Sequence, residues 1–200
     1  MTSELRDGGV PTARARWRVR AVDALARRRV ALGFACGAAT LVLAQPDAAS
    51  IASGMSIAAL GEALRVWAAG HLNKAREVTT SGPYRWIAHP LYLGSSIMGI
   101  GLGVACASVA VAFLIAAYLT ITLTAAIENE EAFLRRRFGD RYDRYKRGGA
   151  ACEGERPFSI AQAIANREHR AIAGLVVALL LLVLKATYNG SFWRTGAGHQ

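Results

Sequence analysis

The chain has 200 residues, 53% of them hydrophobic and 19% charged, with a formal net charge of +10. A basic soluble domain that binds nucleic acid would not carry so much apolar content, so nucleic acid is excluded as the partner this charge serves. Three scattered cysteines and four histidines without ligand spacing exclude a disulfide framework and a structural zinc module, and no metal is expected. An integral membrane protein, with its charges outside the lipid, satisfies both composition and charge.

Residues 1–29 hold eight arginines and form a basic arm. The uncharged run Val30 to Ala44 follows. A signal peptide would have a shorter basic start, and Pro46 falls just after the only plausible cleavage point, so a first membrane helix over about 30–45 is expected. A second helix is expected over about 48–69. Its Glu62 and Arg65 belong near a helix end or against a polar cavity, because charge at the bilayer centre is costly. Their i,i+3 spacing makes an ion pair the default.

The polar stretch from His71 to His89 contains the turn signal Ser81-Gly82-Pro83. Leu91 to Ile127 then runs for 37 residues without a charge. One straight helix of that length would reach about 55 Å, against roughly 30 Å of hydrocarbon. Two passes, about 91–105 and 108–127, joined by a tight turn near Ala105–Ser108, fit better. A polar, Arg-rich segment continues to Arg170. A last helix is expected over about 170–188, followed by a short tail, 189–200.

The expected fold is therefore all-α, with about five membrane helices in a single domain over 30–188. With five passes, 22 of the 24 Lys and Arg residues share one side, leaving Lys185 and Arg194 opposite. The positive-inside tendency puts that side, and the N-terminus, in the cytoplasm, and a bacterial inner membrane is the expected location. The arginines would meet anionic headgroups.

The hairpin has a chemical consequence. It brings the start of its first helix, His89-Pro90-Leu91-Tyr92, back beside the end of its second, Glu128-Asn129-Glu130-Glu131. The 70–89 loop joins them at the same boundary. Tyr84, His89, Tyr92 and the carboxylates would then border one site above apolar helix surface. Such a place suits a polar cofactor meeting a lipid-soluble substrate.

The stretch TTSGPYRWIAHPLYLG, followed by ENEEAFLRRRFGDRYDRY, resembles the integral-membrane methyltransferases, which include isoprenylcysteine carboxyl methyltransferases and phospholipid N-methyltransferases. The resemblance covers about Gly61 to Phe158, with Arg156-Pro157-Phe158 similar to a Pro-Phe that follows the family's tail. It implies S-adenosylmethionine as cofactor and a lipophilic small molecule or lipid as acceptor. It also implies that Arg76, Val78, Thr79 and Tyr84 wrap the cofactor. His89, Pro90, Leu91 and Tyr92 would form the second wall, and Glu130 would hold the cofactor's amino-acid end. No catalytic residue is assigned.

Three positions depart from the family pattern. Ala88 stands where an arginine commonly precedes the His-Pro pair. Ala126 stands where carboxyl methyltransferases place the arginine that meets a substrate carboxylate. Arg76 replaces a histidine of the eukaryotic members. Overall resemblance leans to O-methylation of the isoprenylcysteine type. A phospholipid N-methyltransferase, or a silent scaffold of the same fold, are the alternatives.

Plainer readings compete at each residue. His89 would simply flank a helix. Glu131 would pair with Arg135 at i,i+4, leaving Glu130 as the better ligand. Gly99-Ile100-Gly101-Leu102-Gly103 lies inside an apolar run without a preceding strand, so close helix packing is expected rather than a nucleotide loop. Tyr142, Tyr145, Trp67 and Trp86 are expected to be interfacial anchors.

Overall fold

A computed structural model describes residues 31–73, 76–147 and 156–191. The basic arm, most of the C-terminal tail and the segment after Arg147 lie outside the described residues. The chain divides into two compact units, Met1–Ala35 and Cys36–Gln200. Of the first, only 31–35 are described, and they are helical. The second holds everything that follows.

Among the described residues the regular elements are all helices, with no strand. The elements are α1 (Ala31–Leu43), α2 (Ala48–His71), a 3-10 turn (Gly82–Arg85), α3 (Pro90–Ala105), α4 (Val109–Phe138), α5 (Asp140–Lys146), α6 (Ile160–Ala165) and α7 (Glu168–Tyr188). Helix α2 starts at a capping box. Asp47 Oδ1 accepts from Ser50 N at 2.8 Å, and Ser50 Oγ accepts from Asp47 N at 3.0 Å. Its far end is closed from a distance. Asn166 Nδ2 donates to the carbonyls of Ala69 and Leu72, and Gln162 Nε2 also donates to Leu72. These are carbonyls that a helix end leaves without an internal partner.

The dominant packing is α2 against α3. Small residues make it possible. A Cβ added at Gly54 would meet the α3 backbone at Gly101 and Ala105, and one added at Gly61 would meet it at Gly94 and Met98. The glycine-rich run of α3 is thus part of a backbone-to-backbone seam. At the other end, Gln45 N donates to Cys106 O at 2.8 Å, and Lys185 Nζ of α7 donates to Leu41 and Val42 O. Ile51, Ala105, Val111, Leu182 and Ala186 form the core there.

Helix α3 ends at Ala105 and α4 starts at Val109, so the charge-free stretch does fold back on itself. Helix α4 continues past Ile127 to Phe138, so Glu128, Glu130 and Glu131 lie within the helix rather than beyond it. Two helices, α4 and α7, are long and apolar enough to cross a membrane. Helices α1 and α3 are apolar but shorter. Large side chains on the two long helices, Phe113, Ile121, Val177, Leu180 and Leu184, are exposed, which suits a lipid-facing surface.

The seam gives a test. Gly61→Val and Gly101→Val should each destabilise the fold by about 1–3 kcal/mol or more, because the obstacle is backbone. Gly174→Ala on α7, where nothing lies within 4 Å, should change stability by less than about 1 kcal/mol. Detergent-denaturation midpoints of the three variants check the contrast.

Candidate functional site

Where α2, the 71–89 loop, α4 and α5 meet, a cavity of about 290 Å³ opens. That is close to the lower bound for small-molecule sites. Its wall has two parts. Leu72, Asn73, Glu77, Val78, Thr79, Tyr84 and Ala88 come from the loop side. Glu130, Phe133, Leu134, Tyr142 and Tyr145 come from α4 and α5.

The loop is held by its own polar groups. Asn73 N donates to Thr79 Oγ1 at 3.4 Å, and Asn73 Nδ2 donates to Glu77 Oε1 at 3.4 Å. Glu77 also pairs with Arg156 at 3.0 Å. Gly82 has φ +58°, and a Cβ there would run into the His71 ring, so the turn needs glycine. The turn presents Pro83 and Tyr84 inward, and Tyr84 packs with Ala68, Leu72 and Leu91.

The wall from α4 and α5 depends on Gly139. Its φ of +51° ends α4 and starts α5, turning Tyr142 and Tyr145 back toward the loop. Tyr145 Oη donates to the Tyr84 carbonyl at 2.7 Å. Tyr142 is 1% exposed, yet its hydroxyl has no hydrogen-bond partner. Burial pushes both hydroxyls up to about 12, so both remain neutral donors across the physiological range. Burial, and then the charge of Glu130, also push the Tyr84 hydroxyl up. The two C-terminal tyrosines are therefore cavity wall. The interfacial-anchor expectation fails because their rings point into the protein.

His89 is the N-cap residue of α3, but its side chain makes no capping hydrogen bond. Its ring turns to α4 instead, with Nε2 3.3 Å from Glu131 Oε1 and Nδ1 3.9 Å from Glu130 Oε2. The Tyr92 ring centroid lies 5.7 Å from that of His89, and its hydroxyl faces Glu130. Glu131 is more than a local partner of Arg135. It also takes Lys146 Nζ at 2.5 Å, so it joins α3, α4 and α5.

Of the residues singled out from sequence, Val78, Thr79, Tyr84 and Glu130 share one cavity wall. His89 and Tyr92 adjoin it through Glu130. Pro90 is buried under the α3 start and Leu91 packs behind Tyr84. Arg76 is exposed and is not on the wall. Glu77, Phe133, Tyr142 and Tyr145 were not expected on the wall. The F-G-x-x-Y-x-x-Y spacing was the signal for the two tyrosines, but only the turn at Gly139 shows where they point.

A family model of phospholipid methyltransferases matches residues 34–141, more than half of the chain. The chain belongs to the phospholipid methyltransferase family. Two helices long and apolar enough to cross a membrane are in keeping with that family. It is 32% identical over 96 residues to the nickel-cobalt-cadmium resistance protein NccN of Alcaligenes xylosoxydans xylosoxydans, covering 47% of this chain and 43% of that one. It is 34% identical over 87 residues to the cobalt-zinc-cadmium resistance protein CzcN of Cupriavidus metallidurans, covering 42% and 39%. The chain thus spans about two fifths of the length of these curated relatives. No solved structure matches it.

The orphan hydroxyl gives a second test. Tyr142→Phe removes a group that has no partner, so it should leave stability unchanged or slightly raised. Tyr145→Phe loses a real hydrogen bond and should cost about 0.5–1.5 kcal/mol. Equilibrium unfolding in detergent checks the order. A larger loss at Tyr142 would show that its hydroxyl is bonded within the protein.

Proposed function

We propose that the chain is a methyltransferase that uses S-adenosylmethionine on a lipophilic acceptor, with the cofactor in the Tyr84–Glu130–Tyr142 cavity. One observation carries the reading. A cavity with two carboxylates, four aromatic rings and an unpaired buried hydroxyl sits where the α3–α4 hairpin ends. That donor set fits a cofactor with an ammonium, a sulfonium and an aromatic base. When bound, the cofactor supplies an electrophilic methyl group.

The protein's own groups divide the work. Glu130 would accept hydrogen bonds from the ammonium, and His89 and Tyr92 orient its carboxylate. Tyr142 would give its unused O–H to the ligand. Tyr84, held by Tyr145, and Phe133 would cover the aromatic and sulfonium parts. Val78 and Thr79 would close the loop side and exclude water. Alignment and dryness are what an in-line methyl displacement needs most. Arg76, exposed, would act at most at the cavity's edge.

For the acceptor, resemblance to the isoprenylcysteine branch favours an oxygen nucleophile. A second reading, N-methylation of a phospholipid amine, draws on the wall itself. Among the described residues its charged members are Glu77 and Glu130, and position 126 is alanine. An amine headgroup suits that wall better than a carboxylate does. Incubation with labelled S-adenosylmethionine and a native lipid extract, followed by identification of the labelled lipid, tests both. Base-labile label means an ester, and base-stable label on an amine headgroup means the second reading. No labelled lipid from a protein that binds the cofactor would favour the silent scaffold.

We further propose five crossings in a bacterial inner membrane, N-terminus in the cytoplasm, with the arginines of α4 and α5 against anionic headgroups. Reporter fusions at Ser108 and Gln200 should both report the non-cytoplasmic side. A cytoplasmic signal at Ser108 contradicts this topology.

The two neighbouring carboxylates should separate cleanly. Glu130→Gln should weaken S-adenosylmethionine binding about ten- to a hundredfold, the loss of about 1.5–3 kcal/mol expected for a charge-assisted bond. Glu131→Gln should affect stability more than affinity, since Glu131 serves His89, Lys146 and Arg135. Calorimetry in nanodiscs and detergent unfolding measure the two effects. Equal affinity losses would mean a general electrostatic effect rather than a ligand at Glu130.

A further inference from the structure

Away from the cavity, three charges meet between α2, α3 and α7. Arg65 of α2 forms a two-pronged pair with Glu168, the first residue of α7, at 2.9 and 3.0 Å. Its other arm donates to Ser95 Oγ and to Leu91 O of α3. Glu62, one turn earlier on α2, lies 3.5 Å from Arg65 Nε. Glu62 and Glu168 are 7% and 6% exposed. Yet neither oxygen of Glu62 accepts a hydrogen bond, and neither is open to solvent.

Among the described residues the charges do not balance. Two carboxylates share one guanidinium, and Glu168 takes its Nη2 arm with both oxygens. Among the described residues, the other groups facing the cluster carry no compensating charge. Helix α3 offers Ser95 and the Leu91 carbonyl, neither of which carries charge, and the 3-10 turn offers Tyr84, which feels the charge of Glu168. An unmatched negative charge in a buried place is costly. Solvent does not reach the Glu62 oxygens, so whatever neutralises them must need almost no volume.

We propose that the Glu62–Arg65–Glu168 cluster is a proton-binding site, with the exchangeable proton on Glu62. Neutral Glu62 leaves Arg65 committed to Glu168 and to the first turn of α3. Ionised Glu62 competes for the same guanidinium. The proton thus controls how firmly the turn bearing Leu91 and Tyr92 is tied to α2.

The full chain in lipid nanodiscs tests this by infrared spectroscopy, using the carbonyl stretch of a protonated carboxylic acid. At neutral pH the wild type should show this band, and Glu62→Gln should lose it. Glu168→Gln should lose it too, because one carboxylate is then left with one guanidinium and ionises. Absence of the band in the wild type would overturn the proposal. So would its survival in Glu62→Gln or in Glu168→Gln. Stability gives a second readout that does not depend on the band. A proton held when folded and released on unfolding makes stability fall as pH rises. Glutamine mimics the protonated acid, so Glu62→Gln should fold normally and lose less stability than the wild type between neutral and alkaline pH. Parallel losses in the two proteins would contradict a proton on Glu62.

Discussion

Everything at the site depends on one constraint. A charge-free stretch of 37 residues, Leu91 to Ile127, is too long to cross a bilayer once and too apolar to leave it. Its solution is to reverse at Cys106–Ser108, and reversal returns α4 to the level where α3 began. The short distance between His89 and Glu130, 3.9 Å across 41 positions of sequence, is the direct result. Because α4 remains helical to Phe138, it carries its carboxylates at the level of the polar loop. Gly139 then turns α5 across to close the cavity.

The hairpin alone would not be rigid enough to define a ligand site. Of the residues in α4, Val111 is the one that is buried, so this helix leans only lightly on its neighbours. Precision comes from α2 and α3, whose glycines bring the two backbones together, and from polar ties at both ends of the seam. Arg65 fixes the α3 start. Gln45 and Lys185 fix the opposite end. An apolar frame thus holds a mostly apolar pocket that carries two carboxylates and three tyrosines. Under the proposed function, alignment and exclusion of water are what such a pocket would offer a methyl transfer.

Sequence made the hairpin legible because absence of charge over a countable length is a strong signal. Because a loop and two helix ends had to meet, it also placed Tyr84 and the carboxylates at one boundary, and the family resemblance added Val78 and Thr79. Other features were not legible, for distinct physical reasons. Tyr142 and Tyr145 looked like interfacial anchors because their spacing says which residues share a face but not where the face points. That direction is set by the positive φ at Gly139. Glu62 and Arg65 looked like a local pair, whereas the stronger partner of Arg65 is Glu168, 103 positions away. Glu131 looked like a surface partner of Arg135. Its contacts with His89 and Lys146 arise only after α3 and α5 have packed. Arg76 went the other way: its motif suggested the cavity, and the turn leaves it exposed.

The central claim is that the cavity between the 71–89 loop and the α4–α5 end is where S-adenosylmethionine sits. Photo-crosslinking labelled S-adenosylmethionine to the protein in nanodiscs, followed by peptide mapping, addresses it directly. The account predicts label on peptides containing Tyr84 and on those containing Phe133 or Tyr142, displaced by excess unlabelled cofactor. Displaceable label confined to the opposite end of the hairpin, around Gly103 and Ala112, would contradict it. So would the absence of displaceable label from a folded protein.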